Sequence, residues 1–270
     1  MNPNDPARLF WANHTSDSLH AMVARDPVAV LPIGAIEQHG PHLPLSVDTD
    51  INAGLVTATA EILAPTELPV LFLPPLPIGK STEHLDFPGS LSFSTQTLIA
   101  MWMEIGACVA RTGIKRLVFF NSHGGQVAPM DIVARDLRVA HDLLTFSCNW
   151  FGLGLPEGLL SPHENTYGIH AGELETSMML ALHPNKCRME KARNFRSHIE
   201  DLNQGTRHLG LGMGGKLGWK ANDLNPQGAC GDASVATAQT GTTAINHVAA
   251  EFAAMLHEVH AYDLGQRPRA

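Results

Sequence analysis

The sequence predicts an α/β fold, a parallel or mixed sheet covered by helices on both faces. Three observations predict it. Short apolar runs alternate with longer helical patterns along the whole chain. The clearest of those runs end at Gly- or Pro-containing turns, as buried strands do. With 44% hydrophobic and 16% charged residues among 270, the chain can bury a sizeable core. No repeat, low-complexity linker or composition break divides it, so residues 1–270 read as a single domain.

The elements come in order. Residues 16–25 form an amphipathic helix with Ser16 as its cap. Val28 to Leu31, followed by Pro32-Ile33-Gly34, is the first buried strand, 28–33. The next stretch holds Glu37, His39, His42, Asp48 and Asp50, and Gly40, Pro41 and Pro44 bend it away from any helix. Residues 49–63 are a helix with small residues suited to packing on a sheet, and 69–73 a second strand. A Pro- and Gly-rich stretch comes after it with Ser81, Glu83 and His84. It cannot be a regular element and is a candidate substrate loop. Residues 95–112 are helical and 115–120 are a third strand. That strand runs into Asn121-Ser122-His123-Gly124-Gly125-Gln126, where a Gly pair between strand and helix lets a ligand approach the backbone. A helix over 127–141 and a strand over 143–150 come next. The stretch Tyr167–Leu180 carries His170, Glu173 and Glu175 and becomes helical towards Leu182. Residues 184–231 are irregular, with an excursion over Gly210–Gly218 beside Trp219. A last helix covers about 235–261, and the tail, 265–270, is frayed.

Chemistry concentrates after the first strand. Glu37 and His39 are two apart, so an extended backbone turns them to one side. Carboxylate oxygens and imidazole nitrogens suit Zn, Mn or Fe. A metal site at the C-terminal end of a strand is the sharp reading. Ordinary polar loop residues remain the bland one unless the chain supplies further ligands. His123, also where a strand meets a loop, is one. The acids at 173 and 175 are read two ways, as functional groups or as N-terminal acids favouring a helix dipole.

Composition narrows the class. A formal charge of −8 disfavours nucleic acid and anionic membrane as partners. Four scattered cysteines with no CxxC pair argue against a thiolate zinc site or a disulfide framework, and fit a reducing cytoplasm. The first residues lack a basic and apolar leader pattern, so no secretory signal is expected. The glycine fingerprint of a dinucleotide-binding domain is missing.

The chain resembles the creatininase family along nearly its whole length. The resemblance rests on LPIGAIEQHGPHLPLSVDTD, on Ser81-Thr82-Glu83-His84 with Phe87-Pro88-Gly89, on NSHGGQ, on HAGELETS and on GACGDASVATAQTG. It implies a three-layer α/β/α sandwich with a mostly parallel sheet, a homo-oligomer that is usually a hexamer, and two divalent metal ions per chain (Zn, Mn or Fe). Carried over by position, Glu37, Asp48 and His123 look like ligands of one ion. His39 and Asp48 look like ligands of the other, with Asp48 bridging. Creatinine-hydrolysing members carry a Glu where this chain has Gly125, so Glu173 looks like the replacement ligand. His170 and Glu175 match the acid/base histidine and its supporting carboxylate. Ser81, His84, Gly124 and Gly125 are weaker candidates for substrate contact, and His42 and Asp50 for a supporting shell.

The resemblance also sets the expected function. Two close cations would generate hydroxide near neutral pH and polarise a carbonyl, and His170 would protonate the leaving nitrogen. The leading expectation is hydrolysis of a C–N amide bond, other than a peptide bond, in a small cyclic amide or formamide. Gly125, and Thr166 where the creatinine pocket has an aromatic wall, weaken the case for creatinine itself. Cyclic ketone or ester hydrolysis by the same site is the runner-up. A metal-binding module without catalysis is the non-enzyme alternative, disfavoured because the candidate positions are filled and His170 is present.

Overall fold

The computed structural model describes residues 4–212 and 214–262. The frayed-tail expectation for 265–270 lies outside them. In chain order come α1 (Ser16–Val23), β1 (Val28–Ile33), α2 (Val47–Leu63), β2 (Val70–Phe72), α3 (Thr95–Arg111), β3 (Arg116–Asn121), α4 (Val127–His141) and β4 (Leu144–Asn149). After them come α5 (Pro162–Tyr167), α6 (Glu173–Leu182), β5 (Asn194–Phe195), α7 (Ile199–Gly205), β6 (Leu209–Gly210), β7 (Gly215–Lys216), α8 (Ala221–Leu224), β8 (Gly231–Asp232) and α9 (Ala238–Ala261).

The central sheet has the order β2-β1-β3-β4, and every pairing in it is parallel. The side-chain period of two sorts its residues into two layers. Val28 and Val30, Val70 and Phe72, Val118 and Phe120 pack with Ile51 and Leu55 of α2, Met178 of α6 and Val248 and Phe252 of α9. Ala29 and Leu31, Leu71, Leu117 and Phe119 pack instead with Trp102 of α3, Met130 and Val133 of α4 and Met22 of α1. Burial on both faces explains why the strands read as continuous apolar runs, not alternating ones. The result is an α/β/α sandwich, as expected. Among the described residues no helix is long and apolar enough to cross a membrane.

The chain leaves β1 for β2 on one side and returns to β3 on the other. Ligands of open α/β sheets collect at such a reversal, beyond the strands' C-terminal ends. Ile33 and Asn121 are register partners, so the loops after β1 and β3 leave the sheet side by side. Ser122 Oγ donates to the carbonyls of Ile33 (3.2 Å) and Asp48 (2.8 Å), tying the β3 loop to the start of α2.

Several boundaries differ from expectation. Thr15, not Ser16, caps α1, through a reciprocal box with Ser18. Helix α2 begins at Val47, so Asp48 sits in its first turn. The last helix starts at Ala238. Helix α5 is an element the periodicity does not reveal, though Ser161 accepts from the Glu164 N–H and Pro162 opens the helix, a readable start signal.

Candidate metal centre

Five segments converge where β1 and β3 end. The β1 loop brings Glu37 and His39, the first turn of α2 brings Asp48, and the β3 loop brings His123. A short 3-10 turn, Thr82–His84, adds Glu83 and His84, while His170 precedes α6 and Glu175 lies in its first turn. Glu37, His39, Asp48, His84, His123 and His170 are all buried. Four trios bring their ligand atoms within 4.8 Å of one another: Glu37, His39 and Asp48; His39, His170 and Glu175; Glu37, Glu83 and His123; Glu37, His84 and His170.

Asp48 is the hinge of the arrangement. Its Oδ1 lies 3.4 Å from His39 Nε2, which is 3.8 Å from Glu175 Oε2. Its Oδ2 lies 3.4 Å from His123 Nδ1, which is 3.2 Å from Glu37 Oε2. Ligand atoms placed tetrahedrally about 2.0–2.1 Å from one ion are separated by about 3.4 Å, close to these contacts of 3.2 to 3.8 Å. Glu37 Oε2, His39 Nε2 and Asp48 Oδ2 are buried without a hydrogen-bond partner. Orphaned charged groups in a protein interior are costly, and a cation among them would satisfy all three. The ring nitrogens turned away from the centre are held: His39 Nδ1–H donates to the Glu37 carbonyl (3.1 Å) and His123 Nε2–H to the Lys80 carbonyl (2.8 Å). Such outer bonds fix a ligand histidine's tautomer.

The electrostatics of the metal-free chain agree. Burial opposes charge on His39, yet the carboxylates of Asp48, Glu175 and Glu37 lift its pKa to about 9. His123 is raised likewise against burial, by Glu37, Glu83 and Asp48. Glu37 is driven well below the carboxylate range despite burial, by His123, His84 and His170. Burial, with Asp48 and Glu37 adding to it, pushes Glu175 up to about 7 against the pull of His39. Burial and the neighbouring imidazoles hold His170 well below its ordinary value and lower His84 to about 4. The carboxylates thus favour positive charge at His39 and His123, while burial favours the neutral ring at His84 and His170.

Glu173 is the exception among the expected ligands. None of the four trios includes it. Its N–H donates to Glu164 Oε1 at 2.7 Å, and its carboxyl pKa is raised by burial and by the nearby Glu164 and Asp232. Residues two apart on a helix point about 200° apart, so only one of Glu173 and Glu175 can face the cluster, and Glu175 does. Glu175 is also not the group that orients His170. Glu175 Oε2 accepts from the Ala171 N–H at 2.6 Å, whereas His170 Nε2–H donates to the Gln38 carbonyl at 2.8 Å.

The weaker candidates separate. His84 is inside the cluster, its Nε2 3.5 Å from Glu37 Oε1. Ser81 is fully buried, its hydroxyl 3.3 Å from His123 Nε2 on the side of the ring away from Glu37 and Asp48. Gly124 is exposed. At Gly125 a Cβ would overlap Glu83 Oε1 and come 2.6 Å from His123 Nε2; the space a side chain would need is filled by the Glu83 carboxylate. His42 hydrogen-bonds Thr176 (2.9 Å) and stacks on Phe195, and Asp50 accepts from Ser46 and Lys186, both at 2.7 Å. Both are structural contacts outside the trios. Sequence reasoning missed Gln38, neutral and flanked by two candidate ligands, and Glu164, whose carboxylate takes the N–H groups of Glu173 and Asp232.

Comparisons with known proteins fit this geometry. The family model described as creatininase, creatinine amidohydrolase, matches residues 12–256. The mycofactocin precursor peptide peptidase of Mycolicibacterium smegmatis is 34% identical over 63% of this chain and 62% of its own length. That of Mycobacterium tuberculosis is 33% identical over 80% of this chain and 78% of its own. The creatinine amidohydrolase of Pseudomonas putida is 31% identical over 65% and 70%. Among solved structures, one described as creatininase Mn superposes with a TM-score of 0.74 at 23% identity, covering 94% of this chain and 99% of that one. A mutant creatininase of Zn-Zn type gives 0.75 at 23% identity over 94% and 99%. These two establish likeness of fold.

Proposed function

The chain belongs to the creatininase family of hydrolases, and from that premise we propose that it is a dinuclear metal-dependent hydrolase cleaving a C–N amide bond. The observation that carries this is Asp48, whose two oxygens each lie 3.4 Å from an imidazole nitrogen of a different histidine. A carboxylate so placed can bridge two cations. His39, Asp48 and Glu175 would hold one, and Glu37, Asp48 and His123 the other. Zn, Mn or Fe suits this nitrogen and oxygen set. Two such ions, when bound, supply acidification of a water and polarisation of the scissile carbonyl.

The chain's own groups do the rest. His170, whose charged form burial disfavours, takes a proton from the attacking water and returns it to the leaving nitrogen. The Gln38 carbonyl holds the imidazole in place at 2.8 Å. The buried ligand cluster limits bulk water at the reacting carbon.

A peptide amide is the substrate class we favour. Peptide peptidases stand among the relatives. Beside Gln38 the structure also has a cavity of about 370 Å³ lined by Gly40, Pro41, Leu45, Phe87, Pro88 and Gln227. This mostly apolar cavity suits a peptide segment better than a single small ring. A small cyclic amide or formamide is the second reading, favoured by the depth of the ligands: Glu37 and His39 are each 1% exposed. A homohexamer built from one domain per chain and acting in the cytoplasm completes the proposal, and sedimentation reads the assembly.

The test is a panel of short peptides, cyclic amides, formamides and creatinine, offered to zinc- or manganese-loaded protein with products read by mass. Release of an amine from a peptide supports the first reading, and from a cyclic amide or formamide the second. A ring-opened acid without amine contradicts C–N cleavage. No turnover by protein carrying two ions contradicts catalysis altogether.

A further inference from the structure

We propose that Gln38 is a positioning residue that sets His84 and His170 in complementary roles, His84 as a hydrogen-bond donor into the site and His170 as a proton acceptor. The inference deepens the hydrolase reading and rests on it.

Gln38 is buried and lies between the two ligands of the β1 loop. Its side-chain amide can be oriented without ambiguity. Oε1 accepts from the Gly40 backbone N–H at 2.9 Å, a group that only donates. Nε2 donates to the Gly228 carbonyl at 2.8 Å, a group that only accepts. A flipped amide would place donor against donor and acceptor against acceptor. The second hydrogen on Nε2 then meets His84 Nδ1 at 2.8 Å. That nitrogen must carry a lone pair, so the neutral His84 ring has its proton on Nε2. Gly228 makes the seat: its φ is +72°, and a Cβ there would overlap the Gln38 amide.

The backbone of the same residue handles the other ring. The Gln38 carbonyl accepts from His170 Nε2–H at 2.8 Å, which leaves Nδ1 as the ring nitrogen turned towards Glu37. His84 Nε2 and His170 Nδ1 both face Glu37 Oε1, at 3.5 and 3.8 Å, with ring centroids 4.5 Å apart. One residue therefore orients both rings beside the Glu37 carboxylate, where the reacting groups would meet them.

The division of labour balances. As the water oxygen bonds to the carbonyl carbon, its proton passes to His170 Nδ1 and the carbonyl π pair moves to oxygen. His84 Nε2–H donates a hydrogen bond to that oxygen. When the pair returns to re-form the carbonyl, the C–N bond breaks, and the nitrogen takes both the bonding pair and the proton from His170 Nδ1. A donor aimed at a developing oxyanion is worth about 100- to 1,000-fold in kcat when removed.

The test reads tautomers directly, by magic-angle-spinning NMR of zinc-loaded protein labelled with 15N-histidine. The His84 and His170 signals are assigned by their loss in His84→Gln and His170→Gln. In the wild type both rings should show a bare Nδ1 and a protonated Nε2. Gln38→Glu, an acceptor facing Nδ1, should move the His84 proton to Nδ1. It should leave His170 unchanged, because that bond is to main chain. On the amide identified by the panel, kcat should fall about 100-fold with KM little changed. Gln38→Met, which keeps the bulk and removes the donor, gives a mixed His84 signal and serves if the charged variant does not fold. A protonated His84 Nδ1 in the wild type, or a His84 tautomer indifferent to both substitutions, overturns the proposal. Failure of the hydrolase reading would show separately, as absent metal or absent turnover in a wild type whose tautomers are as assigned.

Discussion

A single methyl group at position 125 tests how two loops share the space behind His123. The φ of Gly125 is outside the left-handed region, so Gly125→Ala adds volume without backbone strain. The new Cβ would overlap Glu83 Oε1 and sit 2.6 Å from His123 Nε2. His123 cannot yield easily, because Nε2–H is bonded to the Lys80 carbonyl at 2.8 Å and Nδ1 faces Glu37 and Asp48. Glu83 sits on a short 3-10 turn with its side chain 12% exposed, and it has somewhere to go. The carboxylate should swing out, and His123 should lose its 3.4 Å partner. Losing an outer partner of a ligand histidine weakens metal binding about 10- to 100-fold, or about 1.4–2.7 kcal/mol. Competition for zinc against a chelator of known affinity measures this. Gly125→Ala and Glu83→Ala should weaken binding alike, and the double variant should be no worse than either alone. Wild-type affinity in Gly125→Ala, with Glu83 still beside His123, would show that the two loops do not compete for this space.

The same geometry makes two further predictions. His39, lifted to about 9 by Asp48, Glu175 and Glu37 against the effect of burial, is protonated at pH 7 in the metal-free chain. Metal must expel that proton, so affinity should rise with pH until about 9; calorimetry in two buffers of different ionisation heat counts the protons released, and none released at pH 7 would contradict the assignment. Glu164→Gln leaves an NH2 facing one of the N–H groups that Glu164 now accepts, at 2.7 and 2.9 Å; it should cost about 1–3 kcal/mol in denaturant unfolding, and an unchanged midpoint would contradict the role given to Glu164.

The fold was legible because its signal is coarse. Strands β1 and β3 are buried on both faces and read as unbroken apolar runs, and the helices between them carry the longer period. Helix α2 starts two residues before its expected position because no side chain caps it in the ordinary way: Ser46 Oγ donates to the Asp50 carboxylate instead. Helix α5 is too short for a periodic signal, although Ser161, Pro162 and Glu164 spell a helix start. Within the site, Glu37, His39, Asp48 and His123 were nameable from ligand chemistry at strand ends. The choice between Glu173 and Glu175 was not. It depends on the rotation of α6 about its axis, which packing against α2 and α9 sets. Glu83 stands in a stretch the sequence marks as a candidate substrate loop, but that loop has no periodicity to show that the carboxylate reaches His123. Gln38 escaped because a search for charged and ligating types passes over a neutral amide.

The proposed metal centre stands or falls on whether the chain holds two ions and at which residues. Elemental analysis of protein purified without chelator, for wild type, Glu175→Ala and Glu173→Ala, decides this most directly. About two divalent ions per chain are expected in the wild type and in Glu173→Ala, and about one in Glu175→Ala. Loss of an ion in Glu173→Ala but not in Glu175→Ala would reverse the ligand assignment. A wild type that takes up no metal even when zinc or manganese is supplied would contradict the proposed centre itself.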